Sequence, residues 1–424
     1  MENKSLNVWL LHHYAVTPKY NGLFRPYMFA KELKSNNIII STIASSYLHF
    51  SDTNLIKNNT KFIVETDQHS NFVYLKTVNG NKGFRRLLNM FSYYFRLLSL
   101  KNHLINEIGY PDVIVASSPH LLTLLAGMKL SRKMSVPLIS EIRDFWPEVI
   151  FQSGKLSERS LLGKFLLSIE KKIYYYSSAL IFLKEGDCQY IIDRQWHRGK
   201  KAILLDKTVY INNGINLTDF DEKIDTKIVL KDPDLSSNKF KIVYTGALRK
   251  INDIDFILDA AKLLTKEKVL FLIYGEGTER ERLQQRIIRE NIDNVRIKGY
   301  VNRSLIPSIL SNSNINLLNY SDNLYDWSRG NSSNKLFEYL ASRKPVISTV
   351  KMGYSIIEKY SCGLEIESHE PMKLAHAIIS IMKLSTKEYT LMSNNARQAA
   401  EEYDYNVLSR KFEETIRNVA NEKT

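Results

Sequence analysis

The chain has 424 residues, of which 44% are hydrophobic and 25% are charged, and its formal net charge is +14. That length exceeds one ordinary domain, and the composition argues against a disordered or fibrous protein and favours a globular enzyme of two or three domains. The two cysteines, Cys188 and Cys362, lie far apart in the sequence. They argue against a disulfide framework and a cysteine-based zinc site, and they fit a reducing cytoplasm.

Hydropathy and charge are distributed unevenly along the chain. No run of about 18 apolar residues occurs, so a transmembrane helix is not expected, and the apolar stretch in MENKSLNVWLLHHYAV is too short for a signal peptide. Residues 1–210 hold 28 Lys and Arg against 16 Asp and Glu, whereas the remainder holds 31 against 29. A basic half of this kind predicts a polyanionic neighbour: nucleic acid, an anionic membrane or a phosphorylated acceptor.

The first half alternates short apolar runs with longer segments of helical spacing. The predicted strands are Val8–Leu11, Ile38–Ile43, Val113–Ser117, Leu138–Glu141 and Ala179–Phe182, and the helical segments include Phe29–Leu33, Leu121–Leu130 and Leu162–Tyr176. Strands that are wholly apolar and that alternate with helices predict a parallel, doubly wound sheet.

The same alternation begins again in the second half. Strands are predicted at Lys239–Thr245, Val269–Tyr274, Val295–Gly299, Ile315–Leu318 and Pro345–Ser348, with helices at Ile254–Leu264, Glu279–Arg289, Ser304–Leu310 and Lys335–Ala341. The polar stretch Asp221–Asn238 is interpreted as a linker or an excursion, and Met392–Val419 as a helical tail interrupted near Tyr403–Asn406.

The predicted fold class is therefore α/β, with two doubly wound, Rossmann-like domains that face each other across a cleft. We place an acceptor-binding domain at residues 1–210 and a donor-binding domain at 211–404. A C-terminal helix, 405–424, is expected to pack back on the first domain.

Two loops of the first half carry polar residues after predicted strands. Gly22 and Arg25 lie between the first strand and the first helix, where Gly22 would let a ligand of the second domain approach. Asp144 follows the strand that ends in IRDFWPEV, and a charged residue at the carboxyl end of a buried strand is a candidate cleft residue. An ordinary loop glycine and a structural Asp that caps the next turn are the alternatives.

The segment 82–104 combines an apolar stripe with a basic border. The stripe consists of Phe84, Leu87, Leu88, Phe91, Phe95 and Leu98, and the border of Lys82, Arg85, Arg86, Arg96 and Lys101. This pattern is typical of a basic amphipathic helix that lies on an anionic membrane. A helix that packs an ordinary core would show the same stripe.

The loop VYTGALRK opens the second half. Gly246 permits a tight turn after the strand, and Arg249 and Lys250 precede a helix. Two cations beside backbone N–H groups predict a diphosphate site, and solvated charges in a plain loop are the alternative.

The segment YGEG follows the next strand. Gly275 and Gly277 would let a ligand approach the backbone closely, with Glu276 between them. The segment resembles half of a dinucleotide-binding fingerprint, and a lone GxG is weak evidence.

The stretch RGNSSNKLFEYLASRKPVI runs from a polar turn into a helix. The four residues Asn331, Ser332, Ser333 and Asn334 are predicted to cap a helix that starts near Lys335. A helix N-terminus beside a lysine attracts anions. Glu338, one turn further, suits a carboxylate that accepts two hydrogen bonds from the vicinal diol of a ribose. An acid that is favoured by the helix dipole is the alternative.

Together these segments resemble glycosyltransferase family 4, the retaining enzymes of the GT-B fold. The matching segments are ASSPHLLTLLAG, RDFWPE, INNGINLTDF, VYTGALRK, YGEG, VRIKGYV and NKLFEYLASRKPVI, and the first two are similar to the branch that builds bacterial surface polysaccharides. The resemblance implies transfer of a sugar from a nucleotide-diphosphate donor, with UDP-sugar favoured, to a lipid-linked saccharide acceptor for capsule, O-antigen or exopolysaccharide. It also implies a cytoplasmic protein, peripheral on the inner face of the membrane.

The resemblance implies roles for individual residues. Glu338 matches the second of the family's paired glutamates, which grips the donor ribose, whereas Gly330 stands where the first is found. Ala247 occupies the usual arginine place, so Arg249 and Lys250 are shifted candidates, and Asp144 falls near the position of an active-site histidine in many relatives. We therefore expect Asp144, Arg249 and Lys250 to be catalytic; Gly22, Gly246, Gly275, Glu276, Gly277, Gly330, Asn331, Ser332, Ser333, Asn334, Lys335, Leu336 and Glu338 to bind the donor; and Arg25, Arg85, Arg86 and His120 to contact the acceptor or the membrane.

No metal, cofactor or nucleic-acid partner is expected. The acidic triplets DPD, 232–234, and DID, 253–255, lie in the linker and at a helix start. A sugar-nucleotide epimerase of the same architecture stays an alternative function, as does a non-catalytic nucleic-acid-binding protein, although no reader element is present. A nicotinamide-dependent dehydrogenase is disfavoured because no complete GxGxxG follows a strand.

Overall fold

The computed structural model describes residues 5–20, 22–225, 232–322 and 325–422. The chain divides into two compact units. The first comprises Met1–Leu183, Asp187–Ile211 and Leu408–Thr424, and the second comprises Lys184–Gly186 and Asn212–Val407.

The first unit contains ten strands and seven complete helices within the described residues. The strands are β1 (Leu6–Leu11), β2 (Ile38–Ser45), β3 (Tyr47–Leu48), β4 (Thr53–Asn54), β5 (Phe62–Thr66), β6 (Asn71–Leu75), β7 (Val113–Ser118), β8 (Leu138–Ile142), β9 (Ala179–Phe182) and β10 (Thr208–Tyr210). The helices are α1 (Arg25–Leu33), α2 (Gly83–Ser99), α3 (Lys101–Ile108), α4 (Leu121–Met134), α5 (Glu148–Gln152), α6 (Leu161–Tyr176) and α7 (Gln189–Asp193).

Eight of these strands form one sheet in the order β10-β9-β8-β7-β1-β2-β6-β5. Neighbouring strands are parallel except β5, which pairs with β6 in antiparallel fashion at the edge. Every residue of β7, β8 and β9 is buried, as the wholly apolar sequence runs predicted. Strands β3 and β4 form a separate two-stranded hairpin.

Helices cover both faces of this sheet. Aromatic and aliphatic side chains of α2, α4 and α6, among them Tyr93, Leu124 and Ile173, are buried in one core against the sheet. On α1, Phe29 stacks on Phe412 of the C-terminal helix, with ring centres 4.5 Å apart. Burying each such side chain contributes roughly 1.5–3 kcal/mol to folding.

The predicted helix 82–104 is two helices, because α2 ends at Ser99 and α3 begins at Lys101. The residues of α2 that face the core are Asn89, Met90, Tyr93, Tyr94 and Leu97. Five residues of the predicted apolar stripe lie on another side of the helix, where Phe84, Leu87, Leu88, Phe91 and Phe95 are 40–72% exposed, whereas the sixth, Leu98, is half-buried against the core. The stripe is therefore not a core-packing face of this unit.

Among its described residues, the second unit has six strands and eight helices, and α16 returns the chain to the first unit. The strands are β11 (Phe240–Thr245), β12 (Val269–Tyr274), β13 (Val295–Gly299), β14 (Ile315–Leu318), β15 (Val346–Ser348) and β16 (Gly363–Glu365). The helices are α8 (Leu217–Asp225), α9 (Ile254–Leu263), α10 (Arg280–Arg289), α11 (Ile306–Ser311), α12 (Asn334–Ala341), α13 (Ile356–Lys359), α14 (Pro371–Met382), α15 (Thr386–Glu402) and α16 (Tyr405–Asn421).

The second sheet is wholly parallel, in the order β13-β12-β11-β14-β15-β16. Its core is formed largely by β11, β12, α9 and α14, with residues such as Phe271 and Ile257 almost completely buried. The two doubly wound sheets confirm the predicted fold class.

The predicted linker Asp221–Asn238 is only partly a linker. Its first residues belong to α8, residues 226–231 lie outside the described residues, and Asp232 is fastened to the second sheet. The hydroxyl of Tyr274 donates to Asp232 Oδ2 at 2.8 Å, and Lys298 Nζ donates to Asp232 Oδ1 at 2.8 Å. Both carboxylates of the DPD triplet, Asp232 and Asp234, therefore pair with Lys298.

No helix within the described residues combines the length and the apolar character that a bilayer crossing requires.

Candidate active site

Three loops of the second unit lie side by side at the carboxyl edge of its sheet. The amide of Gly246, after β11, donates to Tyr274 O at 2.9 Å, and the amide of Gly275, after β12, donates to Gly299 O at 2.8 Å. The amide of Leu248 donates to Glu276 O at 2.8 Å. The structure thus brings the predicted loops VYTGALRK and YGEG together, at the edge where parallel sheets bind ligands.

The glycines of these loops are required by the packing of one loop on the other. A Cβ at Gly275 would lie 1.7 Å from Gly246 O, and one at Gly277 would lie 2.1 Å from Leu248 O. Those distances are far inside van der Waals contact, so no other residue fits without moving backbone. This packing accounts for both glycines, and close approach of a ligand to them stays a prediction.

Glu276 is anchored within the same edge. Its Oε1 accepts a hydrogen bond from the amide of Tyr300 at 3.2 Å and pairs with Arg280, while the side chain stays partly exposed.

Helix α12 is attached to the end of β11 through one tyrosine. The hydroxyl of Tyr339 accepts from Thr245 N at 3.0 Å and donates to Thr245 O at 3.2 Å. This contact places the first turn of α12 beside Gly246, where a Cβ would lie 3.1 Å from Lys335 Cδ.

Lys335 is a cation in an aromatic environment. Its Nζ lies 4.4 Å from the ring centre of Tyr320 and 4.9 Å from that of Tyr244, and 3.5 Å from the Tyr244 hydroxyl. Within the described part of the chain it forms no ion pair. Burial lowers the pKa of Lys335 to about 7, a shift that the charge of Glu338 opposes. A half-buried ammonium without a carboxylate partner is stabilised by an anion, which is what a diphosphate would supply.

The polar turn before α12 is held in place by hydrogen bonds that its own backbone carbonyls accept. Gly186 N donates to Arg329 O at 3.2 Å, Asn212 Nδ2 donates to Asn331 O at 3.0 Å, and Asn213 Nδ2 donates to Ser332 O at 2.6 Å. Gly330 has φ of +102°, a conformation that favours glycine. The segment 330–333 is therefore fixed in shape without a ligand. The sequence alone predicts no role for Asn212 and Asn213, although both stand in the INNGINLTDF segment.

The predicted capping of α12 is wrong in detail. The helix begins at Asn334, and the N-cap Ser333 makes no side-chain hydrogen bond to the first turn. Instead, Ser333 Oγ accepts from the Tyr320 hydroxyl at 2.7 Å, and Asn331 Oδ1 accepts from Ser333 N at 2.6 Å. The N-terminus of α12 keeps its capacity to bind an anion.

Leu336 and Glu338, two further residues of α12, differ in solvent exposure. Leu336 is 2% exposed and its side chain faces the core, so the predicted donor contact falls to its backbone and stays a prediction. The Glu338 side chain is 16% exposed, and its Oε1 lies 3.4 Å from Arg303 Nη2. Burial raises the pKa of Glu338, against the opposing charge of Arg303.

Arg249 and Lys250 lie on the exposed side of the β11–α9 loop. Neither forms an ion pair or a side-chain hydrogen bond within the described residues. A short 3-10 turn, Lys250–Asn252, follows β11 before α9 begins. Both cations are therefore available to a ligand at this edge.

In the first unit, Asp144 follows β8 and is exposed. Its carbonyl accepts from Ser118 Oγ at 3.5 Å, and Ser118 Oγ accepts from Arg143 N at 3.1 Å. The carboxyl ends of β7 and β8 are thus joined beside Asp144. Gly22 packs on Val16, because a Cβ there would lie 2.6 Å from Val16 Cγ2.

Two residues predicted to contact the acceptor or the membrane are buried. Arg25 is 4% exposed, with Nε 2.7 Å from Glu141 Oε1 and Nη2 2.8 Å from Ile211 O. His120 is also buried, and its Nε2 lies 2.6 Å from His13 Nδ1. Burial lowers the pKa of His120 to about 3. Neither side chain can lie on a membrane, so both membrane assignments are corrected.

Arg85 and Arg86, the two arginines of α2 that are predicted to contact the acceptor or the membrane, differ in exposure. Arg86 Nε donates to the Tyr14 hydroxyl at 3.4 Å and is half-buried, whereas Arg85 is exposed beside the apolar stripe. Of these two arginines, Arg85 keeps the exposed position that a membrane contact requires.

Within the described residues, no group of three or more His, Cys, Asp or Glu side chains is placed to hold a metal ion. The expectation that donor transfer needs no metal stays a prediction.

Comparisons with known proteins bear on both units. Residues 225–399 match the family model described as glycosyl transferases group 1. No curated protein sequence matches the chain.

Several solved structures are similar over nearly the whole chain. A sucrose-phosphate synthase from Thermosynechococcus elongatus is 15% identical, with a TM-score of 0.70 over 97% of this chain and 98% of that one. Anabaena HepE in complex with UDP is 15% identical, with a TM-score of 0.67 over 97% and 100%. A glycosyltransferase from Rickettsia africae is 15% identical, with a TM-score of 0.66 over 98% of each chain.

At such identities the structural likeness shows the fold, which is that of GT-B proteins. The family match covers the loops and the helix that form the candidate site. The chain therefore carries a glycosyl transferases group 1 domain on a GT-B fold, and it is a glycosyltransferase.

Proposed function

We propose that the protein is a retaining glycosyltransferase that moves a sugar from a UDP-sugar to a lipid-linked saccharide, in the synthesis of a bacterial capsule, O-antigen or exopolysaccharide. The observation that carries the donor assignment is Lys335, a half-buried ammonium group between two tyrosine rings at the carboxyl edge of the second sheet. The Anabaena structures of similar fold hold UDP and UDP-glucose, which supports a uridine donor.

The donor diphosphate would lie between the N-terminus of α12 and the β11–α9 loop. Lys335, Arg249 and Lys250 supply positive charge there, and the amides of the first turn of α12 supply hydrogen-bond donors. Glu338 would accept hydrogen bonds from the ribose hydroxyls, and the rigid turn 330–333 would form the wall beside the sugar.

In the transfer itself, the bond between the anomeric carbon and the diphosphate breaks, and the acceptor oxygen bonds to the same face of that carbon. The acceptor hydroxyl proton passes to the departing diphosphate oxygen. Negative charge that develops on the diphosphate is stabilised by cations already in place. Asp144 in the first unit would orient the acceptor or the sugar.

The proposal of a lipid-linked acceptor is based on the positive charge of the first half and on the exposed apolar stripe of α2. A lipid-linked acceptor requires the protein to work at a membrane, and the first half is strongly basic. The stripe Phe84–Phe95 offers apolar contact beside Arg85. We place the protein on the cytoplasmic face of the membrane as a peripheral protein.

The experiment that tests the proposal has two parts. A thermal-shift screen of nucleoside diphosphates and nucleotide sugars should show stabilisation by UDP and its sugars above other nucleotides. The stabilising sugar nucleotide, radiolabelled in the sugar, is then incubated with the protein and a bacterial membrane-lipid extract. Label should move to the lipid fraction. Conversion of the sugar nucleotide without lipid would instead identify an epimerase and would contradict the proposal.

A further inference from the structure

A surface pocket of about 470 Å³ lies beside α2 in the first unit. Three segments form its walls: β4 with the residues that follow it, the residues that follow β6, and α2. The side chains that matter below are Asn54, Lys57, Lys76, Thr77, Ser92 and Arg96.

The pocket is lined by three cations and no carboxylate. Lys57 is exposed, and Lys76 Nζ donates to Asn58 O. None of Lys57, Lys76 and Arg96 forms an ion pair within the described part of the chain. Three like charges around one cavity repel each other, and an anion in the cavity would relieve that repulsion.

The walls of the pocket are fixed by neutral hydrogen bonds. Asn54 Nδ2 donates to Thr77 O at 3.2 Å and to Asn79 Oδ1 at 2.6 Å, and Ser92 Oγ accepts from Val78 N at 3.3 Å. These bonds join the three segments, so the cations are held around a cavity that exists before any ligand binds. Such preorganisation lowers the entropy cost of binding.

The exposed apolar stripe of α2 lies next to the same pocket. A second cavity of about 470 Å³ is lined by Phe95, Arg96 and Leu98, together with two serines of α2. Arg96 and Ser92 line both cavities. A free phosphate ion would use the cationic pocket and leave the stripe in water, whereas a lipid would satisfy both, with its head group in the pocket and its chains beside the stripe.

We propose that this pocket binds the phosphate of a membrane phospholipid head group while the stripe of α2 enters the acyl region. The first unit then docks on a bilayer through recognition of phosphate, and not only through net charge. The inference rests on the proposed function in one respect, namely that the protein works at a membrane.

The test is vesicle binding with two anionic lipids. Phosphatidylcholine vesicles carry either phosphatidic acid, which has a bare phosphate, or cholesteryl hemisuccinate, which has a carboxylate, in amounts adjusted to give the same zeta potential. The pocket variant is Lys57→Gln/Lys76→Gln/Arg96→Gln. The matched control is Lys133→Gln/Lys200→Gln/Lys201→Gln, which removes the same charge from exposed sites elsewhere in the first unit.

We expect wild-type protein to prefer phosphatidic acid by tenfold or more. Each cation near a charged surface contributes about fivefold, so the pocket variant should lose on the order of a hundredfold on phosphatidic acid. The control variant should lose only a few-fold and keep the preference. Equal binding to the two vesicle types, or an equal loss in both variants, would overturn the proposal.

The same variants separate this proposal from the donor assignment. Thermal stabilisation by UDP should be the same in wild type and in the pocket variant, because the second unit is unchanged. If UDP stabilises neither, the transferase proposal fails while the vesicle result stands. If UDP stabilises both and the vesicles are not distinguished, the pocket proposal alone fails.

Discussion

The ammonium group of Lys335 lies 4.4 Å from the centre of the Tyr320 ring. An aromatic face stabilises a cation but does not neutralise it, and no carboxylate within the described residues pairs with this lysine. When protonated, Lys335 therefore places a positive charge at the carboxyl edge of the second sheet, beside the N-terminus of α12.

The binding of UDP should depend on pH through Lys335. Burial lowers the pKa of this amine to about 7, and a bound diphosphate would raise it, so binding takes up a proton. Only the protonated amine attracts the diphosphate. The affinity for UDP should therefore fall as pH rises above 7, by about tenfold between pH 7 and 8.5. Calorimetry in buffers of different ionisation enthalpy measures both the affinity and the proton uptake.

Two variants control for this pH effect. Lys335→Arg stays charged across the range, so its affinity should be nearly independent of pH. Lys335→Met should bind UDP about 10–100-fold more weakly, as expected for loss of a charged hydrogen bond, and should also show no fall. A steep fall that persists in both variants would assign the titration to another group.

Glu338→Ala should weaken UDP binding by about tenfold while the fold stays intact, because the ribose hydroxyls lose a charged acceptor. Glu338→Gln keeps the shape and one acceptor oxygen, and it should lose less. Deoxyuridine analogues that lack a ribose hydroxyl provide the complement, since the alanine variant should no longer distinguish them from UDP. Wild-type affinity in the alanine variant would remove Glu338 from the donor site.

Arg249→Ala should lower kcat by about 10–100-fold with a smaller change in KM, because the charge on the departing diphosphate grows in the transition state. Lys266→Ala is a suitable control, since Lys266 is an exposed cation between α9 and β12, near the amino edge of the sheet. Steady-state kinetics of both variants measure kcat and KM. Equal rates in the two would show that Arg249 does not contact the diphosphate.

The buried ion pair of the first unit should govern its stability in acid. Burial opposes ionisation of Glu141, but the charges of Arg25 and Arg143 and a hydrogen bond from Ser117 hold its pKa at about 2. That value lies below the ordinary one, so the pair stabilises the fold above about pH 4.5 and the contribution is lost as pH falls toward 2.

Arg25→Met should accordingly lower the free energy of unfolding by about 3–5 kcal/mol at neutral pH, because it leaves a buried carboxylate without its partner. Urea denaturation at pH 7 and pH 4 measures this. The variant Arg25→Met/Glu141→Leu should recover much of the loss. A single variant as stable as wild type at pH 7 would contradict the account.

The sequence predicted the central strands well because both faces of each are buried. Strands β9 and β12 are continuous apolar runs and β7 and β11 are mainly apolar, and the bounds of all four differ from the predictions by no more than a residue. The edge strands β5, β10 and β16 were not predicted, because their half-exposed residues lack such a run.

Predictions about side chains depended on which face of an element is buried. The spacing of α2 shows an apolar stripe, but only the packing of Tyr93 and Leu97 on the other face shows that the stripe is exposed. Leu336 and Arg25 were assigned to binding from their neighbours in sequence, and both proved buried. The sequence predicts that a ligand approaches the glycines after β12, which stays a prediction, whereas their contact with the neighbouring loop could not be foreseen without the register of β11 and β12.

The crystal structure of the protein with UDP tests the central claim most directly. The account predicts the diphosphate within hydrogen-bond distance of Lys335 Nζ and of the first amides of α12, with the ribose hydroxyls on Glu338. Density for UDP at any other place, with Lys335 still facing only Tyr244 and Tyr320, would contradict it.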